Sequence, residues 1–92
     1  MSVATSTITT NLAILEPEVI FAQMMTALRN KHGDGVYRSW LSAMHLGAYD
    51  SGVVTLLAPS RFTKEWVSSH YLPEMLLMWQ ACDAHVHAIH IQ

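Results

Sequence analysis

Short breaks rich in glycine and proline divide this chain into segments. Gly33-Asp34-Gly35 ends a first helical segment, and Asp50-Ser51-Gly52 separates two apolar runs. Pro59 follows the second run and Pro73 interrupts a later helical stretch, because proline has no backbone N–H to donate. With 92 residues, of which 51% are hydrophobic and 13% charged, the chain has the size and composition of one globular domain.

The segment before the first break is typical of an amphipathic helix. Pro17 suits the first helical turn, and apolar side chains from Ile20 to Leu28 recur at helical spacing, which predicts a helix over about Pro17 to His32. We expect Asp34 to cap a second helix whose apolar stripe runs from Val36 to Met44. The first ten residues are rich in Ser and Thr, so residues 1–16 are interpreted as a flexible lead and residues 17–92 as the domain.

A hairpin is predicted next, with Ala48-Tyr49 and Val53 to Leu57 as antiparallel strands around the Gly52 loop. Ser60 is a good N-cap for a third helix, which Pro73 should kink or split near residues 70–72. The run from His85 to Ile91 is interpreted as a closing third strand. The predicted fold class is therefore α+β, in the order ααββαβ, with a three-stranded sheet packed against helices.

Charge and cysteine content narrow the classes of function. A formal charge of −2 with only five Lys and Arg argues against binding nucleic acid mainly through phosphate neutralisation. No apolar run approaches the roughly 20 residues that a membrane helix needs. A single cysteine excludes an internal disulfide and favours a reducing cytoplasm.

Catalytic and metal-binding patterns have little support. The carboxylates are scattered, no nucleotide-binding loop is present, and Cys82 reads as a small buried hydrophobe, so we expect neither an enzyme nor a cofactor. His85 and His87 would share one face of the last strand and could bind a metal, with His90 as a further candidate ligand, but lone histidine pairs are usually a solvated strand edge.

The first helix is apolar around an unusually wide arc that includes Phe21, Met24 and Met25. This arc is either covered by the hairpin and the third helix or available for self-association through Phe21 and Met25.

A series of motifs in the middle of the chain resembles the N-terminal domain of the bacterial replication initiator DnaA. The resemblance covers about residues 21–91 and lies in Tyr37-Arg38-Ser39-Trp40-Leu41, Asp50 to Leu56, Ala58-Pro59-Ser60-Arg61-Phe62, Trp66-Val67 and His70-Tyr71-Leu72. It implies a K-homology-like topology and a domain that performs no chemistry. It also implies self-association and contacts with the replicative helicase and with regulators of initiation.

The resemblance assigns roles to particular residues. Phe62 falls at the helicase-contacting aromatic position, whereas the residues alone favour a core ring packed on Trp66. Val36 stands where some family members carry an acidic helicase contact, and Arg61 could steer an acidic partner. Phe21 falls at the self-association aromatic position; the residues interpreted as structural are Trp40, Trp66, Val67 and Tyr71. The alternative function is a K-homology-like module that weakly binds single-stranded DNA.

Overall fold

The computed structural model describes residues 16–92, so the lead predicted for residues 1–16 lies outside this range except for Glu16. The elements are α1 (Pro17–His32), α2 (Asp34–Val36) with a π-helical continuation (Tyr37–Leu41), β1 (His45–Asp50), β2 (Val53–Leu57), α3 (Arg61–His70), α4 (Leu72–Cys82) and β3 (Ala88–Ile91). The predicted α+β class with a three-stranded sheet is confirmed.

The sheet has the order β1-β2-β3. β1 and β2 form the predicted antiparallel hairpin, whereas β2 and β3 are parallel. Parallel neighbours cannot be joined by a tight turn, and here α3 and α4 form the crossover. Gly52 in the hairpin turn has a φ of +82°, and a Cβ added there would lie 2.7 Å from the carbonyl oxygen of His85. Only glycine therefore fits between the hairpin turn and the segment that leads into β3.

The predicted interruption of the third helix is confirmed. Ser60 caps α3, since its hydroxyl oxygen accepts a hydrogen bond of 3.1 Å from the backbone N–H of Thr63. α3 ends at His70, and Pro73 lies in the first turn of α4, where its missing N–H costs no helical hydrogen bond. The order is thus ααββααβ, with one helix more than the sequence predicted.

Three local predictions are wrong, and one of them is the burial of Cys82, whose side chain is exposed at the end of α4. Asp34 does not cap α2: the N-cap is Gly33, and the Asp34 carboxylate lies 2.6 Å from Nε of Arg29 instead. The closing strand begins at Ala88 rather than at His85, because His85 lies in a turn in which its N–H donates to the Asp83 carboxylate. His85 and His87 therefore do not share a face of β3.

The core lies between the sheet and the helices. Trp79 of α4 is its largest fully buried side chain, and Val67 of α3 is also completely buried. Met25 belongs to this core with 7% of its surface exposed, so the apolar arc of α1 is covered at that position within one copy of the chain. Trp40 and Tyr71 are partly buried and pack against this core rather than inside it, and Trp66 is also only partly buried.

A polar contact fixes the C-terminal end of α1 to the beginning of α4. Glu74 Oε1 lies 2.8 Å from Nε2 of His32, and Oε2 lies 2.5 Å from Nζ of Lys31. The hydrogen bond and charge of Lys31, helped by His32, outweigh partial burial and lower the pKa of Glu74. At the other end of the pair, Cys82 Sγ lies 3.9 Å from the side-chain oxygen of Gln23, so α1 and α4 run antiparallel side by side.

Replacing Gly52 with Ala should destabilise the domain by about 2 kcal/mol or more, because the left-handed backbone and the clash with His85 both oppose a Cβ. Gly35→Ala is the matched control: it has no atom within 4 Å of the new Cβ, and it should leave stability equal or slightly higher. Urea unfolding followed by tryptophan fluorescence measures both variants. Equal stability of the two would contradict the tight approach of the hairpin to the β3 lead.

The free energy of unfolding should fall in acid partly through Glu74. A carboxyl whose pKa is lower in the folded state contributes stability above its unfolded pKa and loses it as the pH falls through the folded value. This contribution is thus present at neutral pH, and it is lost progressively as the pH falls below about 4.5, the ordinary pKa of a glutamate side chain. Glu74→Gln should cost about 1 kcal/mol at neutral pH, since Lys31 is mostly exposed and solvent screens its charge. As the pH falls, the free energy of unfolding of this variant should decrease less than that of the unmodified chain. Identical decreases in the two proteins would refute this assignment.

Candidate partner-binding site

Four aromatic rings form a row on the surface of α3 and the π-helical segment. The ring of Phe62 lies 5.5 Å from that of Trp40, Trp40 stacks on Trp66 at 4.6 Å, and Trp66 stacks on His70 at 4.0 Å. Phe62 is 65% exposed at the outer end of this aromatic row. A large ring that is held by neighbours and still open to solvent is suited to contact another molecule.

Local geometry explains how these rings meet. Phe62, Trp66 and His70 follow one another at i, i+4 and i+8, so they share one side of α3. Trp40 comes from the π-helical segment, whose wider turn is closed by the 2.7 Å hydrogen bond from the Ser42 N–H to the Tyr37 carbonyl. Such π-helical turns occur frequently at functional sites. Trp40 contacts both Phe62 and Trp66, and it is therefore the residue that supports the exposed ring.

The inner part of the row is constrained by hydrogen bonding. His70 Nδ1 donates to the backbone carbonyl of Trp66 over 2.9 Å, which holds the imidazole parallel to the indole. The indole N–H of Trp66 is buried and has no hydrogen-bond partner among residues 16–92. A buried donor without a partner costs about 1–3 kcal/mol. Trp40 and His70 both stack closely on the Trp66 ring that carries this unpaired N–H.

Charged side chains at the row are few and exposed. Arg61 Nε lies 3.2 Å from Glu65 on the same helix, a surface pair of the kind that contributes little to stability. Val36 lies one turn before Trp40 and packs partly buried against the core. Of the three residues predicted as partner contacts, Phe62 is an exposed ring, Arg61 is an exposed cation and Val36 is a partly buried apolar side chain.

Phe21 lies at a different place, in a groove of about 350 Å³ between α1, the π-helical segment and β1. The groove is lined on its apolar side by Phe21, Met25 and Tyr37, and Arg29 lies over the Tyr37 ring at 5.2 Å. Arg29 donates to Asp34 and lowers the pKa of that carboxyl. Because Met25 is buried beneath it, Phe21 presents more surface to a second molecule than Met25 does.

The described residues were also searched for a metal site and for a membrane-spanning helix. Within residues 16–92 no group of three His, Cys, Asp or Glu side chains is placed to hold a metal ion. Over the same part of the chain, no helix is both long and apolar enough to cross a bilayer.

The fold and its exposed aromatic row define a small α+β domain with a surface suited to contacts with another molecule. The family model described as "DnaA N-terminal domain" matches residues 18–81, which is more than half of the chain. The chain therefore belongs to the DnaA N-terminal domain family, as the motifs predicted.

Several relatives are named "Chromosomal replication initiator protein DnaA". The relative from Wolbachia sp. subsp. Brugia malayi is 36% identical over 80% of this chain and 16% of that protein. The relative from Wolbachia pipientis wMel is 32% identical over 88% of this chain and 18% of its own length, and that from Anaplasma marginale is 42% identical over 70% and 14%. The chain spans less than a fifth of each of these relatives.

Sequence reasoning missed how Trp40 and His70 take part in the surface. In the sequence, Phe62, Trp66 and His70 show only a spacing of i, i+4 and i+8, which places them on one side of a helix but does not reveal their exposure. This spacing was the available signal for the aromatic row. When a ring from another segment, here Trp40, faces such a series, the rings can stack into a row.

Phe62→Ala should leave the domain folded and cost about 1 kcal/mol, because mainly the contact with Trp40 is lost. Val67→Ala in the same helix should cost about 2–3 kcal/mol, since that side chain is fully buried. Urea unfolding compares the two variants. A larger loss for Phe62→Ala than for Val67→Ala would make Phe62 a core residue.

Proposed function

We propose that this domain is a non-catalytic protein-interaction module of replication initiation, acting in the cytoplasm. In this proposal the aromatic row docks the replicative helicase or a regulator of initiation, and the Phe21 side of α1 supports self-association. The observation that carries it is the 65% exposure of Phe62 on top of a stacked tryptophan pair. Family membership supports the setting, since the relatives are named as chromosomal replication initiators.

The energetics of binding favour a ring held in this way. Aromatic side chains contribute most when they enter a desolvated pocket of the partner. Ordering a side chain on binding costs about 0.5–1.5 kcal/mol, and contact with Trp40 restricts the Phe62 ring before any partner arrives. We therefore expect Phe62 to be an anchor residue, with Trp40 and Trp66 as its support.

The charges around the anchor suggest what the partner surface resembles. Arg61 is paired with Glu65 on the same helix, Lys64 adds a further exposed cation on α3, and Val36 supplies no carboxylate. The partner surface should thus be an apolar pocket with acidic rather than basic neighbours. Exposed charges of this kind act more on the rate of association than on affinity.

Single-stranded DNA is the second candidate ligand. The aromatic row beside Arg61 is the observation that favours it, because bases stack on exposed rings. The net charge of −2 opposes it, since single-strand binders normally track the backbone with a basic groove. Fluorescence anisotropy with a labelled oligonucleotide at two salt concentrations decides: binding that is strongly salt-dependent and lost in Phe62→Ala would favour DNA.

Phe62→Ala should weaken binding to the replicative helicase of the same organism at least about tenfold, as expected for an anchor residue. Leu77→Ala is the matched control, because Leu77 is equally apolar and exposed (69%) but lies on α4. Surface plasmon resonance with immobilised helicase measures both affinities, and circular dichroism verifies that both variants are folded. Equal affinities of the two variants would contradict the anchor role.

A further inference from the structure

The strand β1 forms one edge of the sheet. Because the strand order is β1-β2-β3, β1 pairs within residues 16–92 on one side only, with β2. An edge strand presents a row of backbone N–H and C=O groups to whatever lies beside it. Every residue of β1 except Leu46 is exposed to solvent. The backbone of β1 is therefore open to pairing with a further extended chain.

A groove of about 330 Å³ lies against this strand. Its lining residues come from β1 and from the first turn of α1: Leu46, Gly47, Ala48, Tyr49, Pro17 and Glu18. Side chains of an extended chain alternate between its two faces. The groove therefore offers a place for the side chains on one face of a strand that adds to β1.

Tyr49 is the aromatic ring of this groove. It is 38% exposed, and its hydroxyl group donates a hydrogen bond of 3.1 Å to the Asp83 carboxylate. This hydrogen bond restricts the ring before any ligand arrives, so less conformational entropy is lost on binding. Tyr49 thus gives the groove an ordered apolar wall.

The formal charges around the groove all have one sign. Glu18 lines the groove, Glu16 is exposed directly before α1, and Asp50 is exposed at the end of β1. The lysines and arginines of the chain occur neither in α1 before Arg29 nor in the hairpin. Charge complementarity therefore favours a basic partner at this edge.

A bulge limits what can add to β1. The register with β2 shifts between Leu46 and Ala48, so Gly47 is the extra residue of the strand. A bulge bends the strand and interrupts its regular pairing, and natural proteins use bulges to prevent sheets from joining edge to edge. The regular part of this edge therefore suits a short extended segment better than the long strand of another sheet.

We propose that the β1 edge binds an extended, basic segment of a partner protein by strand addition. In this mode backbone hydrogen bonds supply affinity and alternate side chains supply specificity. Apolar side chains of the segment enter the groove against Tyr49, and its basic side chains lie near Glu16, Glu18 and Asp50. No ring of the aromatic row lines this groove, so the β1 edge is a further surface beyond the proposed helicase or regulator site.

A titration of the ¹⁵N-labelled chain with a blocked pentapeptide, Lys-Val-Thr-Val-Lys, tests strand addition by NMR. We expect shifts at the amides of residues 45–50, with a dissociation constant of about a millimolar. The same peptide with its three internal residues N-methylated is the matched control. It keeps the side chains but loses backbone donors, so it should bind at least about tenfold more weakly. Equal binding of the two peptides, or no response of β1 at about ten millimolar, would overturn the proposal.

Glu18→Gln tests the charge preference. It should weaken binding of the lysine pentapeptide about twofold to fivefold at low salt, as for an exposed ion pair. Glu65→Gln is the matched control, because it removes one exposed carboxylate of α3 and should leave the affinity unchanged. The acidic pentapeptide Glu-Val-Thr-Val-Glu should bind more weakly than the lysine peptide. Equal affinities of the two variants, or of these two peptides, would refute a basic partner.

Phe62→Ala separates the β1 edge from the aromatic row. It should leave the pentapeptide titration unchanged while it weakens helicase binding, so the two proposals fail independently. Nuclear Overhauser contacts in the free chain between residues 1–15 and β1 would assign the edge to the chain's own beginning and overturn the proposal. Intermolecular contacts between the β1 strands of two copies would overturn it as well.

Discussion

The parallel pairing of β3 with β2 decides where the helices of the second half can lie. A parallel partner cannot follow through a tight turn, so the chain between the two strands must cross over as α3 and α4. Trp79 and Val67, both fully buried, hold this crossover to the core. With α3 fixed in this way, and with its cap at Ser60 only three residues after β2, Phe62 in its first turn is directed away from the core.

Stability and recognition use different parts of the same helices. On α3, Val67 is buried whereas Phe62, in the first turn, is exposed. On α1, the buried stripe from Ile20 to Leu28 secures the helix, and a neighbouring side forms the Phe21 groove. The domain therefore presents separate surfaces that can change without loss of the core. Such an arrangement suits a module that meets several partners, which is the function proposed above.

The sequence predicted the elements whose signals are local. Pro17, Ser60 and Pro73 act within one helical turn, and the hairpin is specified by its own turn residues, so these predictions were correct. The interactions that the sequence could not reveal are those between distant residues. Arg29 competes with the cap for the Asp34 carboxylate, the Asp83 carboxylate holds His85 in a turn, and parallel pairing of β3 is a tertiary choice. The apolar pattern from Val36 to Met44 likewise does not distinguish an α-helix from a π-helical turn. Family motifs located Phe62, while its exposure and the stacking of Trp40 on Trp66 required the structure.

An NMR titration of the ¹⁵N-labelled chain with the replicative helicase of its own organism tests most directly whether the aromatic row binds that partner. We predict shifts or broadening at the amides around Phe62 and at the indole N–H signals of Trp40 and Trp66. The fully buried indole of Trp79 serves as an internal control that should not respond in the same range. No response from a folded chain at about a millimolar, or a response confined to α1 and α4, would contradict the aromatic row as the helicase site.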